Sequence, residues 1–256
     1  EDEVACLCNT LGTASNSGFV KYANQKKVPH LFVGSGADKF QDPKTYPWSI
    51  GFQPSYRVEA RIFVKYARKE KPGGKIGLLY QNDDFGKDYL AGVKDALGAS
   101  FDKQCVAVSY EVTDTTIDSQ VISLKEAKVD VLITAATPKF ASQTIRKLDD
   151  IGWKPLHILT DVSTSVGAVI NPAGPDKAVG IITSSYIKDS TDPRWKDDPG
   201  IKNWRAFMDK WMPGADQTDG GYLAAHGVQQ SLMQLFKQCG NDFSRENLMK
   251  QAGNLQ

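Results

Sequence analysis

The sequence predicts an α/β protein in which parallel sheets are covered by helices, and three observations carry that reading. Short apolar or β-branched runs alternate with amphipathic stretches of helical period. Residues 129–134 read as an apolar strand of the kind buried on both faces of a parallel sheet. Glycine and proline clusters, Gly34-Ser35-Gly36 and Pro72-Gly73-Gly74 among them, punctuate the alternation.

Residues 4–7 read as the first strand and residues 15–25 as a helix, with Phe19, Tyr22 and Ala23 at i, i+3, i+4. Residues 28–33 form the next strand and residues 48–52 a short extended segment. Pro54-Ser55 then opens an amphipathic helix on Ile62 and Tyr66 that ends before Pro72. A second series follows, with strands at 75–80, 105–111, 129–134 and 156–159 and helices at 85–97, 117–127 and 140–151. Residues 180–187 are extended and 188–200 polar. Two helices come next: 201–211, with Trp204, Phe207, Met208 and Trp211 on one stripe, and 221–238, stopped by Gly240. Two strand-like stretches, near 51–54 and 186–189, suit crossings between lobes. Too few strands precede the first of them to make a self-sufficient lobe, so strands are expected upstream.

At 256 residues, 41% hydrophobic and 24% charged, the chain can bury a core. Its apolar runs fall far short of the roughly 20 residues that span a bilayer. Lys and Arg number 31 against 30 Asp and Glu, interspersed, which argues against nucleic acid as a partner. Cys6, Cys8, Cys105 and Cys239 lack metal-site spacing and read as small buried hydrophobes. No export signal is read at residues 1–4.

Ligands of open parallel sheets bind beyond the carboxyl ends of the strands, so the loops there hold the candidates. In the loop 9–15, Gly12 lets a ligand approach the backbone. Thr13 and Ser15 add hydroxyls beside free N–H groups at a helix start, a combination that suits a carboxylate and equally makes an ordinary N-cap. Gly34-Ser35-Gly36 offers the same chemistry or a plain turn. Asp83 and Asp84 read as helix caps, leaving Phe85 as an exposed aromatic at a helix start. His30, His157 and His226 have no ligand spacing and read as structural or surface residues. No nucleophile elbow, phosphate loop or dinucleotide fingerprint occurs, so no catalytic residue, metal or cofactor is expected and the chain reads as a non-enzyme.

Several motifs are similar to those of periplasmic solute receptors of ABC importers, the branched-chain amino acid type: Leu11-Gly12-Thr13-Ala14-Ser15-Asn16, Lys27-Val28-Pro29, Tyr80-Gln81-Asn82-Asp83-Asp84-Phe85-Gly86-Lys87-Asp88-Tyr89, Asp118-Ser119-Gln120, Ala136-Thr137-Pro138-Lys139-Phe140, and Asp192-Pro193-Arg194-Trp195-Lys196-Asp197-Asp198-Pro199-Gly200. The resemblance implies a type I periplasmic-binding-protein fold, two doubly wound lobes with strand-like crossings. Residues 1–51 and 188–256 would form lobe I, incomplete, and 52–187 lobe II. It also implies a periplasmic location, an ABC permease as partner and truncation at both ends, and the open sheet edges suggest self-association. A ligand carboxylate would fall on Gly12, Thr13, Ser35, Gly36 and Ala37, and a ring over the ligand on Phe85. A second aromatic position falls at Ala136, beside Thr137. The acid that pairs with a ligand ammonium aligns with Val162, with Asp161 one residue away. The implied ligand is therefore an amino acid or a carboxylate without an ammonium, such as an aromatic acid. A cytoplasmic amide- or metabolite-sensing regulator on the same fold is the alternative.

Overall fold

The computed structural model describes residues 3–256. Two compact units emerge: residues 3–56, 83–88 and 225–256 form the first, and residues 57–82 and 89–224 the second. Residues 188–224 thus group with the second unit.

The first unit holds a parallel sheet of three short strands, in the order β1 (Leu7–Cys8), β2 (His30–Val33), β3 (Ser49–Gly51). Helix α1 (Thr13–Gln25) connects β1 to β2. Its buried face is Thr13, Asn16, Val20 and Ala23, a 3–4 spacing on the helical stripe. The register of β2 against β3 shifts between His30 and Val33, and Phe32 takes a φ of 52° there. A bulky residue with positive φ is uncommon, and here it marks a bulge that re-aims the strand's end toward the loop at Gly34. Leu31 and Phe32 pack against Val228, Leu235, Cys239, Leu248 and Ala252 in the unit's core, with Cys6 and Cys8 at its margin. The thiols are therefore packing groups, all four of them free.

The second unit is built on a five-stranded, all-parallel sheet. Its order is β5 (Cys105–Tyr110), β4 (Ile76–Gln81), β6 (Val131–Ala135), β7 (Leu156–Leu159), β8 (Ile182–Thr183). Every residue of β6 is buried, as a central strand covered on both faces requires. Helix α2 (Tyr56–Glu70) buries Ala60, Phe63, Val64 and Ala67, at i, i+3, i+4, i+7, whereas Ile62, expected on the apolar stripe, is 56% exposed. Helices α3 (Asp84–Leu97), α4 (Phe101–Gln104), α5 (Asp118–Glu126) and α6 (Pro138–Asp150) alternate with the strands. Leu79, Tyr110, Val121, Leu132, Phe140 and Ile145 are among the residues of the core between them.

Beyond β7 the backbone tightens into short helical turns around α7 (Asn171–Ala173). Of the extended segment expected at 180–187, only β8 pairs. In α8 (Pro199–Trp211), Trp204 and Met208 are buried but Trp211, expected on the same stripe, is 63% exposed. Two further helices, α9 (Gly220–Cys239) and α10 (Arg245–Ala252), end the chain; α10 starts at a cap in which Ser244 Oγ accepts the Asn247 N–H. No helix among the described residues is long and apolar enough to cross a membrane.

Candidate functional site

Parallel pairing brings the carboxyl ends of β1 and β2 side by side, and the loops leaving them are stitched together. Leu11 bridges Gly34, Gly12 N–H donates to the Gly34 carbonyl at 3.1 Å, and Gly34 N–H to the Thr10 carbonyl at 3.0 Å. Gly12 has a φ of 99°, a conformation that a side chain would strain, and it heads α1 without any side-chain cap. Thr13, the first residue of α1, and Ser35 are both buried, and their hydroxyl oxygens lie 2.7 Å apart. Ser35 Oγ also accepts the Ala37 N–H at 3.2 Å. Two hydroxyl protons therefore share one acceptor contact, and one proton is left to donate elsewhere, whichever of the pair takes the donor role. Gly36 serves packing: a Cβ there would lie 2.2 Å from the Pro54 carbonyl oxygen.

Residues 83–88 belong to this unit as well. Asp83 Oδ1 accepts the N–H groups of Phe85 and Gly86, the N-cap expected of it. Asp84 accepts from Lys39 at 2.5 Å and from Ser17 at 3.1 Å, and these contacts hold its carboxyl below the usual range. Phe85 corrects the sequence reading, since it is 3% exposed, with its ring edge-on to Tyr56 at 4.9 Å. An aromatic partner from the start of another helix covers it, which helix-start position alone does not reveal.

In the second unit the candidates follow β6 and β7. Ala136 is fully buried and its carbonyl accepts the Ser163 hydroxyl at 2.5 Å, which ties the loop after β6 to the turn after β7. Thr137 donates its N–H to the Tyr110 hydroxyl at 3.1 Å and stands before Pro138 at the start of α6. Asp161 and Val162 open a 3₁₀ turn, both partly covered. Asp161 meets a residue the sequence reading passed over, Glu59 of α2, only 7% exposed. Glu59 Oε1 accepts the Asp161 N–H at 3.0 Å and the Ser184 hydroxyl, and Oε2 accepts the hydroxyl of the fully buried Tyr89, which also contacts Thr160. No ion pair to either carboxyl occurs among the described residues. Burial raises Glu59, against the pull of its donors, while burial and the charge of Glu59 push Asp161 up to about 7. The pair therefore holds on to a proton to higher pH than an ordinary carboxylate does.

The match of a family model settles the affiliation. The model, described as a periplasmic binding protein, covers residues 1–256. The chain belongs to the periplasmic binding protein family. Its fold is shared with solved structures at low identity. One is described as a possible leucine/isoleucine/valine-binding protein from Rhodopirellula baltica SH 1, with TM-score 0.84 and 19% identity over 99% of this chain and 68% of that one. Another is a branched-chain amino acid ABC transporter protein from Thermus thermophilus with bound valine, TM-score 0.79 and 16% identity over 97% and 64%. A third is a fatty acid ABC transporter substrate-binding protein from Thermomonospora curvata, TM-score 0.78 and 20% identity over 95% and 61%. The chain thus spans 61% to 68% of the length of these proteins. No curated protein matches it in sequence.

For this family member the sequence reading brought Gly12, Thr13, Ser35, Gly36 and Ala37 to one locus in the first unit. Ala136, Thr137, Asp161 and Val162 come from adjacent loops of the second. It missed Glu59, Tyr89 and Ser184, which lie 102, 72 and 23 positions from Asp161 and carry no local motif. A lone acid on the face of α2 shared with Phe63 was the one available signal.

Proposed function

We propose that this chain is an extracytoplasmic, periplasmic solute receptor that delivers a small carboxylate-bearing ligand to an ABC permease, with the Thr13–Ser35 pair as its carboxylate subsite. The observation that supports this most is the spare hydroxyl proton of that buried pair, set at the uncapped start of α1 beside Gly12. A carboxylate supplies the missing acceptor and is favoured by the first N–H groups of the helix. Phe85, Ala136, Thr137 and Val162 join the proposal as residues that the family resemblance aligns with ligand contacts. The relatives described above as valine-bound or fatty-acid-binding both handle carboxylates.

The choice between an amino acid and an acid without an ammonium rests on Asp161. An ammonium removed from water needs an ionised partner, and Asp161, raised to about 7 by burial and by Glu59, is a poorer one near neutral pH than an ordinary carboxylate. This supports a carboxylate with an uncharged body. Thr13→Val tests the subsite: affinity for the bound carboxylate, measured by calorimetry, is expected to fall by about 1.5 to 3 kcal/mol, the worth of a hydrogen bond to a charged group. Unchanged affinity would remove Thr13 from the site.

A further inference from the structure

Behind the Thr13–Ser35 pair lies a histidine that the ligand chemistry does not use. His30 is fully buried in β2, with its ring 5.1 Å from Phe19 and 6.2 Å from Phe40. Its two nitrogens face hydroxyls. Nε2 lies 2.6 Å from Thr10 Oγ1, and Nδ1 lies 3.4 Å from Ser49 Oγ.

The neighbouring amides fix where each proton sits. Asn16 Nδ2 donates to the carbonyls of Thr10 and Gly12, both at 2.8 Å, so Asn16 Oδ1 is the atom facing Thr10 Oγ1 at 2.5 Å. The single Thr10 hydroxyl proton is used there, and toward His30 the oxygen offers only lone pairs. Nε2 must therefore carry a proton. On the other side, Asn24 Oδ1 accepts the Trp48 N–H at 2.8 Å, so Nδ2 is the group that donates to Val20 O and, at 3.0 Å, to Ser49 Oγ. The Ser49 proton is then free to point at Nδ1. Donation runs one way, from Asn24 through Ser49, His30 and Thr10 to Asn16, and stops on the two carbonyls that shape the loop entering α1.

We infer that His30 is a positioning residue for the Thr13–Ser35 subsite: as the neutral Nε2–H tautomer it orients Thr10 and Asn16, and through them the Thr10–Gly12 backbone from which Thr13 departs. The inference rests on the reading of that pair as the carboxylate subsite. What faces the ring is Phe19 from α1, Phe40 from the turn 38–41, Ser49 from β3 and Thr10 from the loop, none of them titratable near neutral pH. Burial accordingly lowers His30 to about 4, which keeps the imidazole neutral over the range in which a ligand carboxylate is ionised.

The test uses the whole chain and needs no ligand for its first arm. Nitrogen-15 NMR of the imidazole at pH 7 should show Nε2 protonated and Nδ1 bare, with no titration between pH 5 and 8. Amide exchange at Gly12 and Gly34 should quicken about five- to tenfold in His30→Leu, the factor of one lost hydrogen bond. In His30→Gln, whose side-chain amide can donate to Thr10, it should return toward the wild-type rate. L-Valine and octanoate serve as carboxylate probes in calorimetry. Whichever binds should lose about tenfold in affinity in the Leu variant and recover in the Gln variant. An Nδ1–H tautomer, a charged ring at pH 7, native exchange in the Leu variant or no recovery in the Gln variant would each overturn the inference. Failure of both probes to bind the wild type strikes the ligand reading alone, because the tautomer and exchange results still uphold or overturn the relay.

Discussion

The two units bury polar groups at the carboxyl ends of their strands by opposite means. In the first unit the polar set is neutral: Ser49, His30, the half-buried Thr10 and Asn16 pass hydrogen bonds in one direction, and the separate buried pair Thr13 and Ser35 keeps one hydroxyl proton to spare. In the second, two carboxyls, the buried Glu59 and the partly covered Asp161, stand without an ion pair among the described residues and lean on Tyr89, Thr160 and Ser184. A spare donor attracts an anion at little standing cost, whereas two adjacent carboxyls stay buried only by retaining a proton and by saturating the ionised partner with donors. The first unit's polar cluster thus keeps a donor unused. The second unit's cluster is built to satisfy itself.

The largest expected effect follows from the self-satisfied cluster. Glu59→Ala removes the common acceptor of the Tyr89 hydroxyl, the Ser184 hydroxyl and the Asp161 N–H, of which the Tyr89 hydroxyl can still turn to Thr160 Oγ1. Each stranded donor costs about 1 to 3 kcal/mol, so a loss of about 3 to 5 kcal/mol is expected in urea denaturation after partial relaxation. A loss below about 1 kcal/mol would mean that the cluster is not the unit's fastening point, and the contrast between the units would disappear.

The next effect is a slope rather than a single value. The Asp161 carboxyl is raised from its ordinary 3.8 to about 7, so between about pH 4 and 7 the folded chain keeps a proton that the unfolded chain releases. Stability from this group is present at low pH and is lost as pH rises through that window, by at most about 1.4 kcal/mol per pH unit. His30 and His157 act in the other direction. Burial lowers each to about 4, so below about 6.5 the unfolded chain takes up protons that the folded chain refuses, and stability falls as pH falls toward 4. The difference between the wild type and Asp161→Asn isolates the carboxyl, because Asn mimics the protonated form. That difference should shift in favour of the variant as pH rises from 4 to 7. A flat difference would place the proton elsewhere.

These contrasts also show what a sequence can and cannot announce. The alternation of strand and helix was legible because period and turn chemistry are local, and the meeting of the first unit's candidate loops was legible for the same reason: Gly12-Thr13 and Gly34-Ser35 each combine a backbone licence with a hydroxyl within two residues. Phe85 misled because its cover, Tyr56, lies outside any local window, and Trp211 and Ile62 because an apolar residue within a stripe need not face the core. The carboxyl cluster was illegible because Glu59, Tyr89 and Asp161 meet only when α2, α3 and the end of β7 are packed. His30 was visible but silent, since nothing in its neighbours along the chain reveals two hydroxyls aimed at its ring.

The smallest expected effect sharpens the comparison from the neutral side. Ser49→Ala removes a hydroxyl that receives Asn24 Nδ2 at 3.0 Å and reaches His30 Nδ1 at a long 3.4 Å. Asn24 Nδ2 keeps its bond to the Val20 carbonyl, and Nδ1, bare in the Nε2–H tautomer, loses only a weak donor. No charge is stranded, so the loss should be about 0.5 to 1.5 kcal/mol and should not vary between pH 7 and 8. Without Ser49's lone pairs to face it, a proton on Nδ1 becomes harder to hold, so His30 should titrate at still lower pH in the variant. A Ser49→Ala loss as large as that of Glu59→Ala, or one that grows with pH, would show that a charged group reaches this pocket, and the division between a neutral and a carboxyl cluster would fail there.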